Sequence, residues 1–391
     1  MAMQQDEQGW SYSDDWVCTD CVRDRYLVAQ IVDASEDNAV CTFCENTHAA
    51  PLDALMGPFM DGVRRLYVRA VEEVNVESGS YVIDTVDSWD VVEDFGDVLV
   101  GEGLLEAVRD LFSDEAWVPS DWARNHPGGE LSGGWRRFSN AVKFETRYVF
   151  ALRKDDLDLT EWDDVPVALM LEAVANLVKR LGFVKELPTG TRSWRAQYDP
   201  AGPVDITAAR LGTVPAWLAR QPNRMSPAGI PMFYGAGDID TAIGEVTPDG
   251  ATTGAFTWGA FDTSQPCWIV DLTSLPRVPS IFDPSTDMRT YQEAQFLRSF
   301  VHDLAKRATP AWEAVDYVPT QVLTEFFLHV FDDGQHPVAG LIYRSGVTQS
   351  RCIVLNVRNE QCVEQDEGWE VDARANLRLG LAPATTGSRT V

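Results

Sequence analysis

Apolar positions along the chain fall into two textures. Between residues 51 and about 186 they recur at helical spacing. Phe59, Val63, Leu66, Tyr67, Ala70, Val71 and Val74 share one face, and Leu104, Leu105, Val108, Leu111 and Phe112 share another. The stretch 167–181 repeats the pattern and stops at Gly182, a residue free to take the left-handed conformation that closes a helix. Pro188, Gly190 and Thr191 read as a linker, after which short β-rich runs appear at 230–234, 267–272, 338–343 and 352–357. Helical patterns at 290–305 and 320–330 interrupt them, and 382–391 is rich in small polar residues and reads as a frayed end. The pattern predicts an α+β chain: a cysteine-bearing segment at 1–50, a helical domain at 51–186, a mixed α/β domain at 187–370 and a tail at 371–391.

Composition narrows this picture without changing it. Of 391 residues, 45% are hydrophobic and 10% aromatic, enough to bury a core and to exclude wholesale disorder. Charge is the unusual term: 32 Lys plus Arg against 60 Asp plus Glu leave −28. Such a field repels nucleic-acid backbones and anionic membrane surfaces. No apolar run approaches the roughly 20 residues that span a bilayer, and the acidic start lacks a signal-peptide pattern, so a cytoplasmic protein is expected. Seven cysteines in this length do not describe a secreted disulfide scaffold.

Four of those cysteines are spaced for a metal. Cys18-x2-Cys21 and Cys41-x2-Cys44 are separated by nineteen residues, and two such knuckles can close four thiolates around one tetrahedral Zn²⁺. The short apolar pairs Trp16-Val17 and Ala39-Val40 precede them, as in a ribbon of paired strands with metal-binding turns. With every ligand position filled by sulfur, the zinc is structural. His48 is read as a surface histidine. A second cluster, from His126-Pro127-Gly128-Gly129 to Gly133-Gly134, reads as loop; it lacks the Gly-Lys-Ser/Thr ending of a phosphate-cradling loop and receives no nucleotide role. The Arg-x4-His motif of helical RNases is missing too, since neither His126 nor His302 has an arginine five residues upstream.

The chemistry is concentrated in the C-terminal half. Three segments stand out: Ser193-Trp194-Arg195-Ala196-Gln197; Asn223-Arg224-Met225-Ser226 through Phe233-Tyr234-Gly235, followed by Thr241-Ala242-Ile243-Gly244-Glu245-Val246; and Tyr317-Val318-Pro319-Thr320-Gln321, leading to Gly340-Leu341-Ile342-Tyr343-Arg344-Ser345. In order and spacing they resemble the RES family, the NAD⁺-consuming toxin domain named for its Arg, Glu and Ser. The resemblance covers roughly residues 187–360, departing at Met225-Ser226, where many members carry an aromatic and a small polar residue. The preceding half resembles the N-terminal region of HEPN/RES fusion proteins. The resemblance implies a RES fold similar to that of ADP-ribosyltransferases, with Glu245, Arg195 and Ser345 catalytic and Arg195, Arg224, Tyr234 and Ser345 binding substrate.

These residue types suit that reaction. Arginines can clamp a pyrophosphate bidentately, a carboxylate stabilises the oxocarbenium ion formed as nicotinamide leaves ribose, and tyrosine and serine can pack or fix polar edges. Thr320 and Gln321 are read as capping and positioning a helix, and His302 and His329 as packing or surface residues. The leading expectation is an NAD⁺ glycohydrolase or phosphorylase acting as a growth-arresting toxin or defence effector. An ADP-ribosyltransferase acting on a macromolecule and an inactive NAD-sensing interaction protein stay open beside it. The resemblance also implies a restraint, either a helix-turn-helix antitoxin of the Xre type or the chain's own N-terminal half, and leaves homo-oligomers open.

Overall fold

Backbone pairing near the N-terminus is short and local. In the computed structural model, which describes residues 8–77, 80–121, 128–152, 164–248, 253–309, 311–334, 336–366, 369 and 377–390, β1 (Trp16–Val17), β2 (Glu36–Val40) and β3 (Thr47–Pro51) form an antiparallel sheet in the order β1-β3-β2. His126 and Pro127 lie outside the described residues. Helix α1 (Arg25–Ala34) starts at Asp24, whose carboxylate accepts from the N–H groups of Tyr26 and Leu27. Helix α2 (Asp53–Leu66) buries Leu55, Met56, Phe59, Met60 and Val63.

The single helix face read through Val74 breaks after Leu66. Strand β4 (Tyr67–Arg69) pairs with β8 (Ala116–Pro119), which also pairs with β7 (Val86–Asp87); β5 (Val76–Glu77) and β6 (Ser80–Tyr81) form a separate two-stranded ribbon. One helical turn at Ala70–Glu73 then brings Ala70 and Val74 inward again, which is why the spacing looked continuous. Helix α3 (Leu104–Leu111) follows Gly103 at φ 77°, matching its expected apolar run. These elements belong to a compact unit of Met1–Glu130, Thr160–Asp163 and Arg277–Gln295. Within it, Phe282 stacks on Phe59 at 5.3 Å, and Arg65 donates to the carbonyls of Ile281, Asp283 and Thr286. Gly62 makes room for the Phe282 ring: a Cβ there would stand 2.2 Å from its Cδ1.

The second unit, Leu131–Leu159, Asp164–Pro276 and Phe296–Val391, is built on a ten-stranded mixed sheet. Its strands are β9 (Val184–Leu187), β10 (Arg192–Asp199), β11 (Phe233–Ala236), β12 (Ala255–Thr263), β13 (Cys267–Asp271), β14 (Val338–Arg344), β15 (Arg351–Leu355), β16 (Cys362–Glu364), β17 (Leu379–Leu381) and β18 (Gly387–Thr390). They run in the order β16-β17-β12-β10-β11-β15-β14-β13-β9, with β18 also on β12. The parallel pair β13–β14 requires a crossover. Helices α7 (Met288–Ala305) and α8 (Val318–His329) lie between those strands in the chain, α7 with Phe296–Ala305 in this unit.

Side-chain alternation gives the sheet two apolar faces. Leu341, Tyr343, Cys352 and Val354 point into one core with α4 (Glu130–Phe144), α5 (Met170–Arg180), the C-terminal half of α7 and α8. Ile342, Ile353, Leu355, Phe233 and Phe261 point into the other. The four β-rich runs and both later helices read from sequence are present as β11, β13, β14, β15, α7 and α8. Helix α5 ends as read: Gly182 has φ 64°, and the Phe183 N–H reaches the Val178 carbonyl.

Three expectations are corrected. Gly133 and Gly134 lie inside α4, not in a loop, because glycine there lets the helix approach Asp164, Val165 and Met170; a Cβ on Gly134 would stand 2.8 Å from Val165. Residues 387–390 are not frayed: as β18 they pair with β12, which offers a long strand for them. Thr320 does not cap α8, which begins two residues earlier at Val318 with Tyr317 as N-cap. No described helix is long and apolar enough to cross a membrane. The molecule is α+β, with a cysteine cluster in the first unit and a large mixed sheet in the second.

Candidate functional site

The four cysteines converge. Cys18 precedes and Cys21 ends a 3-10 turn at Thr19–Cys21, and Cys41 and Cys44 lie in the turn between β2 and β3. Sγ of Cys18 is 3.9 Å from that of Cys21 and 3.3 Å from that of Cys44, Cys21 is 3.7 Å from Cys41, and all four lie within 4.8 Å of one another. Four sulfurs at about 2.3 Å from a tetrahedral zinc would be roughly 3.8 Å apart, so the set fits such an ion. Burial and the neighbouring thiols push the Cys18 and Cys21 thiols up, while the N–H of Asn46 pulls Cys44 down. His48 stays outside the cluster, exposed and 3.8 Å from Asp37. Sequence reasoning missed Gly101: a Cβ there would stand 2.8 Å from Cys21 Cβ and Sγ, and its N–H donates to the Cys21 carbonyl at 3.1 Å.

In the second unit, the loop before β11 carries Arg224 inward. Arg224 is only 7% exposed, and its Nε and Nη1 have no hydrogen-bond acceptor among the described residues. Buried guanidinium donors left unanswered are costly, so an arginine in this state marks a place where an acceptor belongs. Its guanidinium carbon lies 5.6 Å from the Tyr343 ring centre, a cation–π distance. The loop is pinned from α8: Thr320 Oγ1 donates to the Arg224 carbonyl, and Gln321 Nε2 donates to the Asn223 carbonyl at 2.8 Å. Tyr234, on β11, meets Ser226 Oγ at 2.9 Å and accepts from the Met225 N–H at 3.2 Å. Burial pushes the Tyr234 hydroxyl up to about 12, so it stays protonated at neutral pH. Ser226, a small polar residue, thus anchors the tyrosine, and the departure is confined to Met225, which is fully buried.

Glu245 and Ser345, one hundred residues apart, are brought together. Helix α6 (Ile239–Val246) is started by Asp238, whose carboxylate accepts from the Thr241 N–H at 2.7 Å, and Glu245 sits in its last turn. Ser345 is fully buried at the end of β14. Its Oγ donates to Glu245 Oε1 at 2.5 Å and accepts from the N–H groups of Val347 at 3.0 Å and Thr348 at 3.2 Å. With its proton and its acceptor sites all engaged, this hydroxyl orients the carboxylate. The Glu245 side chain keeps 21% of its surface, so a ligand can reach it.

Arg195 is placed differently from a clamp. Its Nε donates to the Leu211 carbonyl and its Nη1 to the Tyr234 carbonyl, both at 2.7 Å, and its guanidinium lies 5.3 Å from the Phe233 ring. Phe233 and Tyr234 alternate across β11, so this contact lies on the face away from the Tyr234 ring. Burial pulls the Arg195 guanidinium down, but it stays charged because an arginine starts so high. It bridges strand β11 to the end of the Ala208–Leu211 turn and thereby holds the backbone of Tyr234 in place.

Two family models match: HEPN/RES N-terminal domain 1 over residues 34–156, and the RES domain over residues 192–374. The chain carries a RES domain over residues 192–374, preceded by the N-terminal domain of HEPN/RES proteins. No curated protein and no solved structure matches. RES domains are in general NAD-acting enzymes of a toxin type, and the matched span holds Arg195, Arg224, Tyr234, Glu245 and Ser345. A cavity of about 420 Å³ opens elsewhere in the RES region, lined among others by Cys362, Glu364, Asp366, Trp369 and Arg378. None of the five residues lines it, and two carboxylates in its wall disfavour a pyrophosphate. Tyr343 and Arg307 were not singled out from sequence. Strand alternation could have found Tyr343, two residues before Ser345 and on the same face; for Arg307 no local signal exists.

Proposed function

We infer that the RES domain cleaves the nicotinamide–ribose bond of NAD⁺ by hydrolysis or phosphorolysis, and that the protein acts as a growth-arresting toxin or defence effector. The observation that carries this reading is Arg224, buried with two donors that meet no acceptor among the described residues, in the same domain as a carboxylate held by Ser345, with both charges bearing on the buried Tyr343 hydroxyl. A phosphate oxygen of the substrate is the acceptor such a guanidinium lacks, and a planar fork suits it better than a point charge. Glu245 supplies negative charge where the ribose becomes cationic. The C1′–N1 electron pair leaves with nicotinamide, which departs neutral and needs no acid. The oxygen of water or phosphate then bonds C1′, and a proton from attacking water passes to solvent. With its hydroxyl protonated and held by Ser226, Tyr234 packs and orients; Arg195 keeps β11 in register beneath it.

The four cysteine thiolates would hold one Zn²⁺, whose closed sulfur shell is structural and supplies nothing to the reaction. The test is NAD⁺ loss and product identity with the purified full chain, with and without phosphate. Glu245→Gln is expected to lower kcat by on the order of 10²-fold or more, about 2.7 kcal/mol, with KM little changed. Arg224→Ala should chiefly raise KM, and Arg224→Lys should not restore it fully. Expression of the wild type alone should arrest growth, and the Glu245→Gln protein should be tolerated. NAD⁺ consumption by Glu245→Gln at the wild-type rate would overturn the assignment.

A further inference from the structure

Glu245 occupies a position that local rules oppose. It is the penultimate residue of α6, where the helix's free carbonyls and the negative end of its dipole disfavour a carboxylate. One cation answers both. Arg307, in the segment after α7, donates from Nη2 to the Gly244 carbonyl at 3.2 Å and the Glu245 carbonyl at 3.0 Å, and the same nitrogen lies 3.6 Å from Glu245 Oε2. Ser345 holds Oε1, so the two oxygens are addressed from two separate elements. With 40% of its side chain exposed, Arg307 is not required to fill a core.

We propose that Arg307 is a positioning residue of the RES site, clamping the last turn of α6 so that the Glu245 carboxylate is presented in one orientation. The proposal rests on the reading of Glu245 as the group that stabilises the ribosyl cation. A clamp acting through Glu245 matters in the transition state and only while Glu245 is charged. All three contacts leave from Nη2, so a lysine ammonium that reaches the same point keeps the charge and part of the clamp.

The test uses the full chain with Arg307→Ala and Arg307→Lys, each in the wild-type and Glu245→Gln backgrounds, assayed for NAD⁺ turnover. Arg307→Ala is expected to lower kcat about tenfold with KM within about twofold, and Arg307→Lys to recover part of the loss. In the Glu245→Gln background Arg307→Ala should add nothing. An unchanged kcat, or an equal fractional loss in both backgrounds, overturns the proposal. Hydrogen exchange across Ile239–Val246 in protein without NAD⁺ separates the clamp from the assumed substrate. Faster exchange in the last turn of Arg307→Ala supports the clamp, and unchanged exchange overturns it even if wild-type protein leaves NAD⁺ intact and the functional reading fails.

Discussion

The cysteine cluster and the Arg224 site both gather polar groups inside the protein, but they differ in reach and in completeness. Cys18, Cys21, Cys41 and Cys44 come from 27 consecutive residues, and their sulfurs face one another within 4.8 Å. Arg224, Tyr234, Glu245, Arg307 and Ser345 come from a loop, a strand, a helix, a connecting segment and a strand end, and two donors of Arg224 meet no acceptor among the described residues. The first arrangement is complete in its donors and calls for one ion at its centre. The second has one carboxylate bound on both oxygens and one guanidinium available to a ligand. A structural site satisfies its own groups, whereas a working site leaves some of them for substrate.

The largest effect should come from breaking the first of these. Purified protein is expected to contain about one zinc per chain, and chelation or Cys18→Ser should unfold the β1–β3 sheet. Structural zinc in small peptides contributes roughly 10–16 kcal/mol of apparent binding energy, far more than three short strands can supply. Elemental analysis finding no zinc in protein prepared without chelator would refute this.

A smaller effect asks whether metal alone holds that unit together. Phe282, on the segment Arg277–Gln295, is buried against Phe59 at 5.3 Å and Phe95 at 5.6 Å, over the space Gly62 leaves. Phe282→Ala should cost about 3–5 kcal/mol, seen as an earlier thermal transition accompanied by metal release. A transition that stays with wild type would mean the ring contributes little. In that event the cysteines and the α2 face carry the unit.

Legibility followed the same division. The CxxC spacing and the helix faces of α3 and α5 are local patterns, and they could be read from sequence. So could the order of Arg195, Arg224, Tyr234, Glu245 and Ser345, because that order survives whatever the fold does between them. What the sequence could not show is which partner each side chain meets. Arg195 looked like Arg224 in sequence, yet its Nε and Nη1 are taken by backbone carbonyls where β10 and β11 separate. Arg307 lies 62 residues from the carboxylate it approaches, with no periodicity to link them. Gly133 and Gly134 read as loop because their role is steric, a close approach by Asp164 and Val165 that exists only in the folded unit.

The finest contrast lies between two arginines of the RES domain. Arg192, on β10, faces Asp262 directly across on β12, with Nε to Oδ1 and Nη2 to Oδ2 both at 2.8 Å. Burial alone would push the Asp262 carboxyl up, but the Arg192 fork and the Gln365 amide outweigh it and hold it below its ordinary value. A depressed folded value adds stability that is present above the unfolded carboxylate value of about 3.9 and is lost as pH falls through the folded one. Arg192 is 49% exposed, so solvent screens the pair, and Arg192→Ala should cost only about 0.5–1 kcal/mol at neutral pH. That deficit should begin to shrink below about pH 4 and close as pH falls through the depressed folded value of Asp262. Arg224→Ala, which removes a charge with no carboxylate partner among the described residues, should show no such acid-dependent closure. The check is the denaturant midpoint of each variant against wild type between neutral pH and about pH 3. A constant deficit for Arg192→Ala across that range would show that its aliphatic stem, not its charge, supports the β10–β12 pair.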